Sequence, residues 1–213
     1  MRLKLEKSFV PFYIIWLTLT GAFLFSLFRG DWLIAFISFS TFFLTITPFL
    51  LQNRYRFYMP LGFTASIAFF IYAAIFLGEV HNFYEKFWWW DSILHAGSAI
   101  GFGLIGVVIL LLLYKGEKIK AHPKVLTLFV FSFALAIGAM WEIFEFSMDE
   151  IFGFHMQKNG LHDTMWDFII NALGAGIASF FGYIHITKGS KNVFSRLIDE
   201  FLKINTAKHI RKS

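Results

Sequence analysis

The chain has 213 residues, 57% of them hydrophobic and 15% charged, with a formal net charge of +5 and no cysteine. This balance is too apolar for a water-soluble domain of that length and fits a polytopic membrane protein. The lack of cysteine excludes disulfides, thiolate nucleophiles and thiolate metal sites, so any metal would be held by oxygen and imidazole.

Six apolar runs are long enough to cross about 30 Å of hydrocarbon as helices of about 20 residues. In chain order they lie near 9–28, 32–51, 57–80, 92–114, 125–146 and 166–187. RGD at 29–31, QNRYR at 52–56, HNFYEKFWWWD at 81–91, KGEKIKAHPK at 115–124 and a longer loop from 147 to about 165 separate them. The first run is long and no clean cleavage motif follows a short apolar core, so it reads as a retained span and not a signal peptide. The expected fold is all-α: a polytopic membrane helix bundle of six transmembrane helices over 1–190, then a cytoplasmic amphipathic tail over 191–213.

Basic residues orient the bundle by the positive-inside rule. Of the 19 Lys and Arg, 16 fall in the N-terminal segment, the second and fourth loops and the tail; Arg29, Lys86 and Lys158 fall on the opposite side. Both termini are therefore expected in the cytoplasm of a prokaryotic cell, with the chain multi-pass in the plasma (inner) membrane. Trp88, Trp89 and Trp90 read as an interfacial belt, with substrate stacking as the alternative. In the tail, Val193, Phe194, Leu197, Ile198, Phe201 and Leu202 recur at helical spacing opposite charged residues. That pattern fits a helix lying on anionic lipid, or equally one packed beneath the bundle.

Three spans carry acids into this apolar setting. The fourth begins with Asp91 and has His95 one turn deeper. The fifth ends in GAMWEIFEF, with Glu142 and Glu145 a turn apart. The sixth begins with Asp163, Asp167 and Asn171, one polar stripe at four-residue spacing that descends about 12 Å. With both termini inside, all three sets share one depth near the extracytoplasmic interface. Helix capping alone accounts for Asp91 and Asp163 about as well as function does. A lone His95 is more often structural, and a lone Asn171 is usually interhelical glue. Capping fails for Glu142 and Glu145, which stand at a helix C-terminus where the macrodipole disfavours anions. If ionised, the five acids sum to −5, and no Lys or Arg lies near them within these helices. Such a cluster shares protons or recruits a cation. Carboxylates with imidazole suit Mg²⁺, Mn²⁺, Zn²⁺ or Fe. Gly97 and Gly101, and Ala172, Ala175 and Gly176, form small-residue faces suited to close helix packing around the cluster.

The segments WWWDSILHAGSAIGFG, GAMWEIFEF and DTMWDFIINALGAG resemble the YjdF-type family of bacterial membrane proteins, and more distantly VanZ-like proteins. The resemblance covers about residues 57–187 and implies a six-span envelope protein, but no reaction.

The functional expectation is an intramembrane metal-dependent hydrolase or transferase acting on a lipid or lipid-linked envelope substrate at the extracytoplasmic interface. Asp91, His95, Asp163 and Asp167 are its first-choice metal ligands. Glu142 and Glu145 are further ligands or the general base. Asn171 and His162 are expected to orient a ligand or to contact substrate. The alternatives are a cation- or proton-coupled transporter and a non-catalytic lipid-binding envelope factor. Membrane lipid is the expected partner; nucleic acid is not, because the basic residues follow topology and form no recognition motif.

Overall fold

The computed structural model describes residues 9–55, 58–115, 121–158, 160–189 and 192–210, without the side chains of 114–115 and 206–210. Expectations that rest on Arg2, Lys4, Lys7, Arg56, Lys118, Lys120, Asn159, Lys191, Arg211 and Lys212 lie outside them. The described residues are helical, with no strand: α1 Val10–Arg29, α2 Trp32–Tyr55, α3 Leu61–Ile71, α4 Phe83–Lys86, α5 Trp90–Lys115, α6 Pro123–Phe152, α7 Leu161–Lys188 and α8 Val193–Ile210. The segment Tyr72–Val80 continues α3 with π-helical turns. Six of these stretches are long and apolar enough to cross a membrane, the third being Leu61–Val80.

Several boundaries differ from the hydropathy reading; the second span, for example, runs on to Tyr55. The third span starts at Leu61, not 57, because Pro60 is extended (φ −52°, ψ 141°) and precedes the first helical residue. The fifth runs on to Phe152 and ends where Gly153 turns left-handed at φ +67°. The sixth starts at Leu161, so the expected loop of 147–165 contracts to 153–160. Hydropathy reports where charge begins, whereas a helix continues into water for as long as its backbone bonds are satisfied.

The chain forms two compact units: residues up to Trp90 together with those from Lys203 onward, and Asp91–Leu202. In the first unit, α1 ends at Gly30 (φ +76°), whose N–H bonds back to Leu27 O, and α2 begins two residues later. Phe12, Ile15, Leu19, Ala68 and Phe76 make its buried core, with Trp16, Phe42 and Phe49 against them. A row of α2 polar side chains (Ser38, Thr41, Thr45 and Gln52) is buried as well. Trp16 Nε1 donates to Thr45 Oγ1 at 3.1 Å, while the Gln52 amide accepts from Met59 N at 2.8 Å and donates to Thr64 Oγ1 at 3.3 Å. Asn205 accepts from Tyr58 N at 2.9 Å and donates to Tyr58 O at 2.7 Å, tying α8 to the α2–α3 connection. Trp90 packs edge-on against Phe83 with centroids 4.9 Å apart, while Trp88 stands 88% exposed.

The second unit packs α5, α6 and α7 through missing Cβ atoms. A Cβ on Gly103 would collide with Ala178 and one on Gly182 with Val107, while one on Gly106 would press on Phe133 at 3.1 Å. A Cβ on Gly174 would sit 2.8 Å from the Ala96 carbonyl oxygen. Gly97, Gly101 and Gly176, expected to make this contact, have nothing within 4 Å. The reason is angular: Gly97 lies about 200° round the helix from His95, on the far side of α5. Ser179 Oγ donates to Thr127 O at 2.8 Å, linking α7 to α6. The buried Ile198, Phe201 and Leu202 give the apolar face of α8 a protein lining. Phe194 stacks on Phe181 with centroids 4.5 Å apart.

Candidate functional site

The start of α5, the end of α6 and the start of α7 come together within the second unit, and their polar faces meet around His95. Asp91 and His95 are four residues apart on α5, so they share a face. Asp167 and Asn171 share one on α7 for the same reason. His95, Glu142, Asp167 and Asn171 are all buried, with 6%, 3%, 4% and 1% of their surface exposed. Asp91 and Glu145 are half-buried.

The two edges of the His95 ring face different partners. Nε2 stands 3.6 Å from Asp91 Oδ1 and 3.8 Å from Asp167 Oδ1. Nδ1 stands 3.7 Å from Glu142 Oε1 and 3.3 Å from the Asn171 side-chain amide. Asp91, His95 and Asp167 form one set of donor atoms lying within 4.8 Å of one another; His95, Glu142 and Glu145 form a second. Both carboxylate oxygens of Glu142 are buried without a hydrogen-bond partner, and so is Asn171 Oδ1. A buried anion or acceptor left unpaired costs several kcal/mol, at about 1–3 for a neutral group and more for a charged one. Glu145 is satisfied differently: Trp141 Nε1 donates to its Oε1 at 3.0 Å on an exposed face of α6.

Asp163, His162 and several other polar residues stand further out. Asp163 is half-buried one turn before Asp167, within electrostatic reach of Asp91, His95 and Glu142, but it joins neither close donor set. Gly160, not Asp163, is the N-cap of α7, and Asp163 stands in the helix's first turn, where an anion suits the macrodipole. His162 is exposed and accepts from Trp166 Nε1 at 3.3 Å, away from the cluster. Ser98 Oγ donates to His95 O at 2.9 Å, which commits it to the backbone. Asp149 holds the α6–α7 connection by accepting from Met156 N at 2.8 Å and Gln157 N at 2.9 Å. Lys158 in that connection lies within electrostatic reach of Asp91 and Asp167.

Three contributors were not singled out from the sequence. Trp141 holds Glu145. Gly138 leaves the space that the Asn171 amide fills, since a Cβ there would be 2.7 Å from Nδ2. Gly174 admits the Ala96 carbonyl and so sets how closely α7 approaches α5. The two glycines had a legible signal: Gly138 is one turn before Glu142 and Gly174 one turn after Asn171, on the faces that carry the acids.

Residues 11–188 match the family described as "Predicted membrane protein (DUF2238)". A stretch of 98 residues, 46% of the chain, is 34% identical to an uncharacterized protein of Thermotoga maritima and spans half of that protein's length. No solved structure matches the chain.

Proposed function

The chain belongs to this family of membrane proteins, and from that premise we propose that the His95 cluster binds a divalent cation and hydrolyses, or transfers a group from, a lipid or lipid-linked envelope substrate. We place the cluster near the extracytoplasmic interface of a prokaryotic plasma membrane, with both termini cytoplasmic, on the distribution of basic residues. The observation that carries the reading is Glu142: a carboxylate 3% exposed, neither oxygen of which has a partner, in a cluster of acids around one imidazole. A divalent ion would offset part of that cluster's charge, and carboxylate plus imidazole is a fitting donor set for Mg²⁺, Mn²⁺, Zn²⁺ or Fe.

Bound there, the ion would polarise a phosphoryl or carbonyl oxygen and acidify water. Glu142 or Glu145 would take the proton from the attacking water as its oxygen bonds to phosphorus or carbon. The leaving group would depart with the electron pair of the broken bond and take up a proton. A lipid fits because the α6 and α7 faces beside the cluster expose Met140, Trp141, Ile143, Phe144, Met165 and Ile169. A transport reading has less support. Along α5 and α7, beyond the cluster, the buried side chains among the described residues are apolar except Ser179, whose hydroxyl is given to Thr127 O, so they offer an ion little ligation.

The test is metal content and turnover on the same preparation. Purified protein should carry a stoichiometric divalent metal, and Glu145→Ala and Asp167→Ala should lower it. Turnover of an extracted envelope lipid pool should stop with a chelator and return on adding the metal. Metal-free protein after growth and purification in metal-replete medium would refute the proposal, and counterflow of a cation in proteoliposomes would favour transport.

A further inference from the structure

Resting on that reading, we infer that the cluster opens sideways to the bilayer at Trp141 and Glu145, and that a membrane phospholipid reaches the ion there by a headgroup oxygen. Burial rises steeply within one turn of α6. Trp141 is 47% exposed, Glu145 is half-buried and Glu142 is 3% exposed. Glu145 is four residues from Trp141 and three from Glu142, so it neighbours both on the helix surface. The three side chains thus make one polar path from the surface inward. Glu145 Oε1 accepts from Trp141 Nε1 at 3.0 Å, and the same carboxylate belongs with His95 and Glu142 to one donor set. The inner end of the path is Glu142, whose two buried oxygens have no partner. An ion held by carboxylates takes further oxygen ligands, and the phosphate of a phospholipid supplies them.

The surroundings of this path are apolar. Met140, Ile143, Phe144 and Phe146 are exposed beside it, and Ile151 and Phe152 further along α6. Phe152 is seven residues past Glu145, about 10 Å along the helix axis. Apolar exposure therefore continues outward beyond the opening. On a membrane protein such a surface meets lipid, so a headgroup arriving at Glu145 comes from the side. Tryptophan suits the position, since it joins an apolar ring to a single N–H donor at the boundary of chain and headgroup.

The rim on the Asp91 side of the His95 ring has the opposite character. Asp91 and Asp163 are half-buried there, and the exposed Lys158 lies within electrostatic reach of Asp91. The connection that carries Lys158 is held by Asp149 and by Gln157 Nε2, which donates to Thr164 Oγ1 at 2.7 Å. A charged rim suits water and excludes acyl chains. Lipid and attacking water would then come to the ion from two different sides.

The full-length protein in lipid-free maltoside detergent, stripped with EDTA and loaded with Co²⁺, is followed by its visible absorption. An equal mixture of phosphatidylethanolamine and phosphatidylglycerol should shift the band. Glycerophosphoethanolamine and glycerophosphoglycerol, the same headgroups without chains, should leave it in place at the same concentration. The chain has no cysteine, so Trp141→Cys and Leu173→Cys each carry a single thiol. Leu173 is 64% exposed on α7, about 200° round that helix from Asn171. Both variants should bind Co²⁺ and show the lipid shift, which establishes that they fold. Benzylmaleimide on the Trp141→Cys thiol should abolish the shift, and on the Leu173→Cys thiol should not. An equal shift from the chain-free headgroups, no shift from the lipids, or a lipid shift that survives modification of Trp141→Cys would overturn the sideways route and leave the metal reading standing. A wild-type protein that binds no Co²⁺ would overturn both.

Discussion

Gly174 and Gly176 are two residues apart on one helix, and replacing each with alanine should have opposite effects. A Cβ at 174 would lie 2.8 Å from the Ala96 carbonyl oxygen and 2.9 Å from Ala99 Cβ, against the 3.4 Å at which ordinary contact begins. The first obstacle is backbone, which no rotamer change can clear, so α5 and α7 must part by roughly half an ångström. Overpacking on this scale typically costs about 1–3 kcal/mol. For a chain of this size that corresponds to a fall in Tm of very roughly 2–12 °C. At Gly176 nothing lies within 4 Å, so alanine only reduces backbone entropy in the unfolded chain and should leave stability level or raise it by up to about 1 kcal/mol. Tryptophan fluorescence melts in detergent, with metal removed, measure both. The separation should also reach the site, because Asn171 and Asp167 ride on the same helix. Gly174→Ala should weaken metal binding where Gly176→Ala does not. Equal melting temperatures for the two variants would refute the close α5–α7 approach, and with it the juxtaposition of Asp167 and His95.

Glu142→Leu should raise the stability of metal-stripped protein by about 1–4 kcal/mol, since it replaces an unpartnered buried carboxylate by an apolar side chain. A hundredfold excess of metal over the wild-type Kd should stabilise the wild type by about 2.7 kcal/mol and this variant by less; thermal melts with and without EDTA and metal decide this, and a variant less stable than wild type in EDTA contradicts it. Asn205→Leu removes both hydrogen bonds to the Tyr58 backbone and should cost about 1–3 kcal/mol, visible as faster amide exchange at Tyr58; unchanged exchange would count against the tie. Asp149→Ala frees the N–H groups of Met156 and Gln157 and should expose 153–160 to protease with little change in the global melt; undiminished protease resistance would show the connection is held by something else.

How much was readable before folding varies with the interaction concerned. The six spans follow from the length of the apolar runs, because a bilayer demands backbone bonds satisfied within each segment. The acidic faces follow from four-residue spacing at Asp91 and His95 and at Asp163, Asp167 and Asn171, since helical periodicity is local. Even the grouping of three helix ends at one level followed from topology. What sequence left open was rotation about each helix axis. Gly97 and Gly101 looked as suitable for packing as Gly103 and Gly174, because small residues mark a possible contact without saying which face a neighbour takes. Side-chain partnership was equally hidden. Asp163 and Asp167 occupy one stripe, but only Asp167 reaches His95, and His162 turns to Trp166 instead. Local spacing determines which residues share a face of their own helix; only packing between helices, set by steric contacts at a few missing Cβ atoms, decides which faces meet and which buried oxygens are left without a donor.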